Sequence, residues 1–137
     1  MPSWELPWPK VTTNHLWVRA ARGQLRLSEA AALWRDEVIV IVRQSGFRAP
    51  AGWLQVRAWL MPPDRRRRDA DNLLKLLLDS ICPGLGVDDA QIRELHVWLL
   101  PPALEGRIDV WLGRTGAADC PPDGADGLRL SALRPNR

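Results

Sequence analysis

The sequence is poor in the residues that mark several protein classes. Only two of its 137 residues are cysteine, Cys82 and Cys120. They lie far apart, with no CxxC pair and no Cys/His spacing. That excludes a disulfide-stapled miniprotein and argues against a zinc site. The two histidines, His15 and His96, also lack ligand spacing. No apolar run approaches the length needed to span a bilayer, and the opening MPSWELPWPK holds no signal-peptide core. The expectation is a cytoplasmic protein with free thiols and no membrane partner. No internal repeat or heptad pattern is present, which excludes collagen and coiled coil. Lysine is scarce too: Lys10 and Lys75 stand against 17 arginines, for a net charge of +3. So small an excess says little about a partner until its clustering is known.

What remains is globular. Hydrophobic residues make up 46% and charged residues 26%, proportions that fit one domain with a real core. An extended segment is expected around Trp4–Trp8. Residues 14–20 and 24–28 flank Arg22-Gly23 as a hairpin. Ser28 is a good N-cap with Glu29 in the first turn, so a helix should run to Gln44 and stop at Gly46. Residues 52–61 alternate as a half-buried strand, closed by Pro62-Pro63. LLKLLLDSIC is a helix candidate, ended by Pro83-Gly84 and Gly86. Leu73, Leu74, Leu77, Leu78 and Ile81 would face the sheet. Residues 91–100 and 106–113 alternate again and suggest an antiparallel pair. The expected fold class is α+β: a single two-layer domain, with a small mixed or antiparallel sheet and two main helices on one face. Residues 1–115 form that domain. Residues 116–137, rich in Pro, Gly, Ala and Asp, read as a flexible tail.

The chemistry concentrates in PDRRRRDADNLLKLLLDSICPGLGVDDAQ, residues 63–91. Four arginines, Arg65, Arg66, Arg67 and Arg68, run directly into Asp69 and Asp71. In a non-helical lead-in those two carboxylates can converge on one spot. Asp71, Lys75 and Asp79 then follow at four-residue spacing on one helix face. Asp88-Asp89 form a second acidic pair beyond the glycines. Clustered carboxylates repel unless a cation neutralises them, and Mg²⁺ takes oxygen ligands. Arginines match phosphate oxygens bidentately, and a lysine can neutralise charge that develops on a phosphate. Each feature alone has an ordinary reading: a solvated basic loop, a helix cap, a surface ion pair, a turn. Together they suit a phosphodiester substrate. The tryptophans read mainly as core or interface residues. Trp17, beside Asn14 and Arg19 in the basic hairpin, is the best candidate among them for touching nucleic acid.

This run, with LPWP, TNHLWVRAARG and LSEAAALWRDEV upstream, resembles the signature of RusA-type Holliday junction resolvases, a family often carried by prophages. The likeness spans about residues 5–113. It implies a small α/β domain that forms a homodimer. It also implies Mg²⁺-dependent symmetric nicking of four-way DNA junctions, with Mn²⁺ as a substitute ion and no small-molecule cofactor. Carried across residue by residue, the family's essential aspartates match Asp69, Asp71 and Asp89 as metal ligands, and its essential lysine matches Lys75. Asp88 matches with a weaker catalytic case. Arg65 to Arg68, with Asn14 and Arg19, are the expected DNA contacts. The alternatives are a non-catalytic structure-specific DNA-binding protein, or a nuclease acting on other branched or flap DNA.

Overall fold

The computed structural model describes residues 3–10, 16–68 and 70–115. Its elements run β1 (Ser3–Pro7), β2 (Trp17–Arg19), β3 (Leu25–Leu27), α1 (Glu29–Gln44), β4 (Leu54–Met61), α2 (Ala70–Leu85), β5 (Ile92–Leu99) and β6 (Arg107–Arg114). Single 3₁₀ turns occur at Ala21–Gly23 and Asp89–Gln91. The hairpin, α1 and the central strand form where patterning places them. Ser28 caps α1 by accepting from the Ala31 amide, and VIVIV continues that helix. Gly46, at φ 68°, follows its end. Asn14, His15, Asp69, Cys120 and residues 116–137 lie outside the described residues.

The main sheet has the order β1-β6-β4-β5, and β2 pairs with β3 separately. Here the structure corrects the expected pairing of the last two strands. β5 runs parallel to β4, and β6 runs antiparallel to both β4 and β1. β4 therefore lies between β5 and β6. The reason lies in burial. β4 carries Leu54, Val56, Ala58 and Leu60, all fully buried, so it takes the centre of the sheet with neighbours on both edges. The connection from β5 to β6 crosses the end of β4. The Leu100 amide donates to the Leu60 carbonyl at 2.9 Å, and the Ala103 amide donates to Pro62 at 3.0 Å.

Both helices pack on one face. Ala31, Trp34, Val38 and Val42 of α1 and Leu73, Leu76, Leu77 and Ile81 of α2 share one cluster with Leu6, Val56, Val110 and Leu112 of the sheet. The buried stripe of α2 is rotated from the expected one: Leu76 and Ser80 go inside, while Leu74 and Leu78 are half-buried. Each buried leucine contributes about 1.5–3 kcal/mol of transfer free energy. Trp34 Nε1 donates to the Pro7 carbonyl at 2.8 Å and ties α1 to the end of β1. The opposite sheet face is aromatic and charged. Trp59 and Trp98 stack at 5.2 Å, and Arg57 lies 4.8 Å from the Trp111 ring. Of the eight tryptophans, only Trp4, Trp8 and Trp34 belong to the buried core.

Helix α2 does not stop at Pro83-Gly84, as the sequence suggests. It runs through Pro83 to Leu85. A proline inside a helix withdraws the N–H that would satisfy the carbonyl four residues earlier, here that of Asp79. Arg35 of α1 fills the gap, with Nε donating to the Asp79 carbonyl at 3.2 Å. At Gly84 an added Cβ would lie 3.2 Å from Val42, so the small residue permits the close helix crossing. The end is a Schellman arrangement: Gly86 sits at φ 68°, its amide donates to Pro83 and the Val87 amide donates to Cys82. Arg35→Ala should destabilise the fold by about 1 kcal/mol by orphaning that carbonyl. In a Pro83→Ala background the same change should cost measurably less, because the alanine N–H restores the helical bond. Urea denaturation of the four proteins in that double-mutant cycle measures the coupling.

Candidate active site

Three groups of residues surround α2. The first is the basic loop before it. Asp64 organises this loop, accepting from the Arg66 amide at 2.9 Å and from the Arg68 guanidinium at 2.7 Å. The backbone bond from Arg66, then the bond from Arg68, hold the Asp64 carboxyl below the usual range. Arg68 also donates to the carbonyls of Asp64 and Arg66 and lies 5.6 Å from the Trp8 ring. The four arginines are therefore not equivalent. Arg68 closes the loop with its side chain only 17% exposed, whereas Arg66 is 80% exposed and only 3.7 Å from Asp64. Arg65 and Arg67 are exposed as well.

The second group is the start of α2. Asp71 lies in the first helical turn and Lys75 one turn later, both exposed. Their four-residue spacing puts them on one face. Asp71 is thus inside the helix rather than in a lead-in before it. Lys75 Nζ sits 4.5 Å from the centroid of the Trp17 ring. A cation over an indole face gains about 0.5–2 kcal/mol, and here the contact fixes where the ammonium points. Trp17 therefore engages the lysine. Arg19 follows two residues later in β2 and shares its side of the strand by alternation. Arg22 and Arg26 are also exposed on this hairpin.

The third group lies at the far end of the helix. Arg35, Asp79, Cys82, Asp88 and Asp89 line a groove of about 470 Å³ together with Trp17 and Pro83. Asp88 is engaged as a cap: its carboxylate accepts from the Ala90 amide at 2.9 Å, and the Gln91 side chain accepts from the Asp88 amide at 3.0 Å. Asp89 is exposed at the first position of the 3₁₀ turn. Burial pushes the Cys82 thiol up to about 11, and Asp89, Asp79 and Asp88 add to the shift.

The sequence comparisons converge on one family. The model described as Endodeoxyribonuclease RusA matches residues 7–112. The crossover junction endodeoxyribonuclease rusA of Enterobacteria phage 82 is 34% identical over 116 residues, covering 81% of this chain and 92% of that protein. The crossover junction endodeoxyribonucleases RusA of Shigella sonnei (strain Ss046) and Escherichia coli (strain K12) are 33% identical over the same shares. The chain belongs to the RusA endodeoxyribonuclease family. The matched span contains every candidate site residue named above, including Asp69, and leaves out the tail 116–137.

Within this RusA chain the site residues spread along α2, and Trp17 links them: it seats Lys75 and also lines the groove of Asp79, Asp88 and Asp89. Arg65, Arg66, Arg67, Asp71 and Lys75 gather at the beginning of α2. Asp89 packs by its end, beside Cys82. From Asp71 to Cys82 the helix rises about 16 Å. Among the described residues, no group of three or more His, Cys, Asp or Glu could hold a metal ion. Nor is any helix among them long and apolar enough to cross a membrane.

Sequence reasoning missed the Trp17 seat for Lys75 and the structural use of Arg68. The second had a signal, because acid and arginines at Asp64, Arg66 and Arg68 alternate as a self-closing loop would. The groove acids can be tested through Cys82. The thiol is raised above its ordinary 9.0, so its contribution to stability is full below about pH 9 and is lost as pH rises toward about 11. In a Cys120→Ser background, alkylation of Cys82 should follow a pH profile with its midpoint near 11. Asp89→Asn should move that midpoint down. A midpoint at the ordinary thiol value in the folded protein would mean that Cys82 is not buried, and a midpoint unmoved by Asp89→Asn would place that carboxylate elsewhere.

Proposed function

We propose that the protein is a Holliday junction resolvase, a Mg²⁺-dependent endodeoxyribonuclease that makes paired symmetric nicks in four-way DNA during recombination and repair. One observation carries this reading. Exposed arginines, Asp71 and an indole-seated Lys75 meet at one end of a helix, in a chain whose relatives are named for cutting crossover junctions. The donor set suits the ion, since carboxylates are hard oxygen ligands. The division of the acids along α2 supports a composite site. In a twofold dimer with the α2 helices side by side and antiparallel, Asp69 and Asp71 of one protomer would hold Mg²⁺ with Asp89 of the partner subunit. Half-buried Leu74 and Leu78, flanking the polar stripe, give such a pairing an apolar margin. A twofold enzyme also suits a four-way junction, whose equivalent strands are themselves related by a twofold axis.

When bound, the ion supplies a Lewis acid for phosphodiester hydrolysis. The protein's own groups do the rest. Arg65, Arg66 and Arg67 hold backbone phosphates beside the scissile one, while Arg68 keeps their loop closed. Arg19 extends the basic track along the hairpin, and Asn14 is a further expected DNA contact. Lys75, held by Trp17, meets the negative charge that grows on the phosphate as the bond breaks. The products would carry 5′-phosphate and 3′-hydroxyl ends.

Complementation tests both the activity and the shared site. Asp71→Asn and Asp89→Asn should each lower junction nicking by about tenfold to a hundredfold at least, since losing even an outer-shell partner of a metal costs that much. When the two variants are co-refolded, half of the dimers should be mixed. Each mixed dimer carries one intact site, so nicking should return to about a quarter of wild type. If each protomer holds a whole site, every site in the mixture lacks one carboxylate and no activity returns. If Asp71→Asn alone cuts as well as wild type, the metal assignment fails.

A further inference from the structure

A second recess adjoins the start of α2 and shares Arg65 and Arg66 with the phosphate-holding loop. It holds about 220 Å³ between the basic loop and the connection that follows β5. Leu99, Leu100 and Pro102 line it together with Arg65, Arg66 and Trp8. Ala70 also lines it, so the recess opens one residue from Asp71.

Its chemistry is mixed in a particular way. Leu99 is 64% exposed and Leu100 36%, an apolar surface that no described part of the chain covers. Beside it three guanidiniums outnumber the single carboxylate of Asp64. A site with an apolar wall and a cationic rim fits a ligand that is flat and apolar on one side and anionic on the other. A nucleotide has that form. The recess has room for a planar ring. Part of its lining is preformed, because Arg68 is pinned by Asp64 and lies 5.6 Å from the Trp8 ring.

We propose that this recess takes one unstacked nucleobase flanking the scissile phosphate, with Arg65 and Arg66 on its backbone, and that it sets the sequence preference of the cut. The proposal rests on the junction-cutting function and deepens it. Bases at a branch point have lost part of their stacking, so turning one out costs less there than within a duplex. The recess then chooses among the bases by the fit of the ring against Leu99, Leu100 and Pro102.

The test uses four-way junctions with each of the four bases in turn at the positions flanking the cut, and a parallel set with 2-aminopurine there. Wild type should cut its preferred base about tenfold faster than the least favoured. Bound to the 2-aminopurine junction in Ca²⁺, it should raise the probe's fluorescence as the base leaves the stack. Leu99→Ser and Leu99→Trp alter the wall and the mouth without changing charge, at an exposed position. Both should abolish the fluorescence rise and flatten the base preference, while the slope of binding against salt stays at the wild-type value. Variants that keep both the rise and the preference would overturn the proposal. The binding arm needs no cleavage. A wild type that binds and lights the probe but cuts nothing refutes the nuclease reading and leaves the recess supported.

Discussion

Helix α2 is about 24 Å long, and that length governs the rest of the molecule. β4 ends at Met61, and the next strand to pair with it, β5, runs in the same direction. The chain must therefore travel back along the sheet between them, and α2 is the return path. Whatever stands before the helix lies at the C-terminal end of β4, and whatever follows it lies at the N-terminal end. The arginine run and Asp71 fall on one side of that divide and Asp88-Asp89 on the other. On the composite-site proposal, a single protomer so built would carry two half-sites rather than one whole site. In this account dimerisation is a requirement of the chemistry.

The helix reaches that length only because its neighbours repair it. A proline at position 83 should end the helix a turn early. The Arg35 guanidinium satisfies the carbonyl that Pro83 leaves without a donor, and Gly84 lets α1 approach closely enough for Arg35 to do so. The same arginine lines the groove that holds Asp79, Asp88 and Asp89. One side chain thus links the packing of the two helices to the position of the distal acids. At the other end, Asp64 and Arg68 play the equivalent part. Their ion pair gives up one arginine of the run to hold the remaining three outward.

Much of this was legible in the sequence, and the parts that were not have definite causes. The cap at Ser28, the stop at Gly46, the alternation of β4 and the charge order around Asp71 are local signals, and local physics reads them. The pairing of β5 was not legible, because alternation tells which face of a strand is buried and not which strand lies beside it. The passage of α2 through Pro83 depends on a residue 48 positions earlier, Arg35, and no spacing rule reaches that far. The seat of Lys75 on Trp17 is hidden for the same reason. Spacing also gave no warning that Asp71 and Asp89 stand at opposite ends of one helix. Their roles followed from family resemblance, whereas their separation follows from the topology alone.

The central claim is that cutting requires two protomers because the acids are divided. The most direct measurement is the initial nicking rate of a four-way junction over a dilution series of the protein, set beside its mass from sedimentation at the same concentrations. The rate should follow the concentration of dimer, falling with the square of total protein once the dimer dissociates. A rate that stays proportional to total protein where sedimentation shows only monomer would contradict the account, because it would mean that one protomer alone assembles a working site.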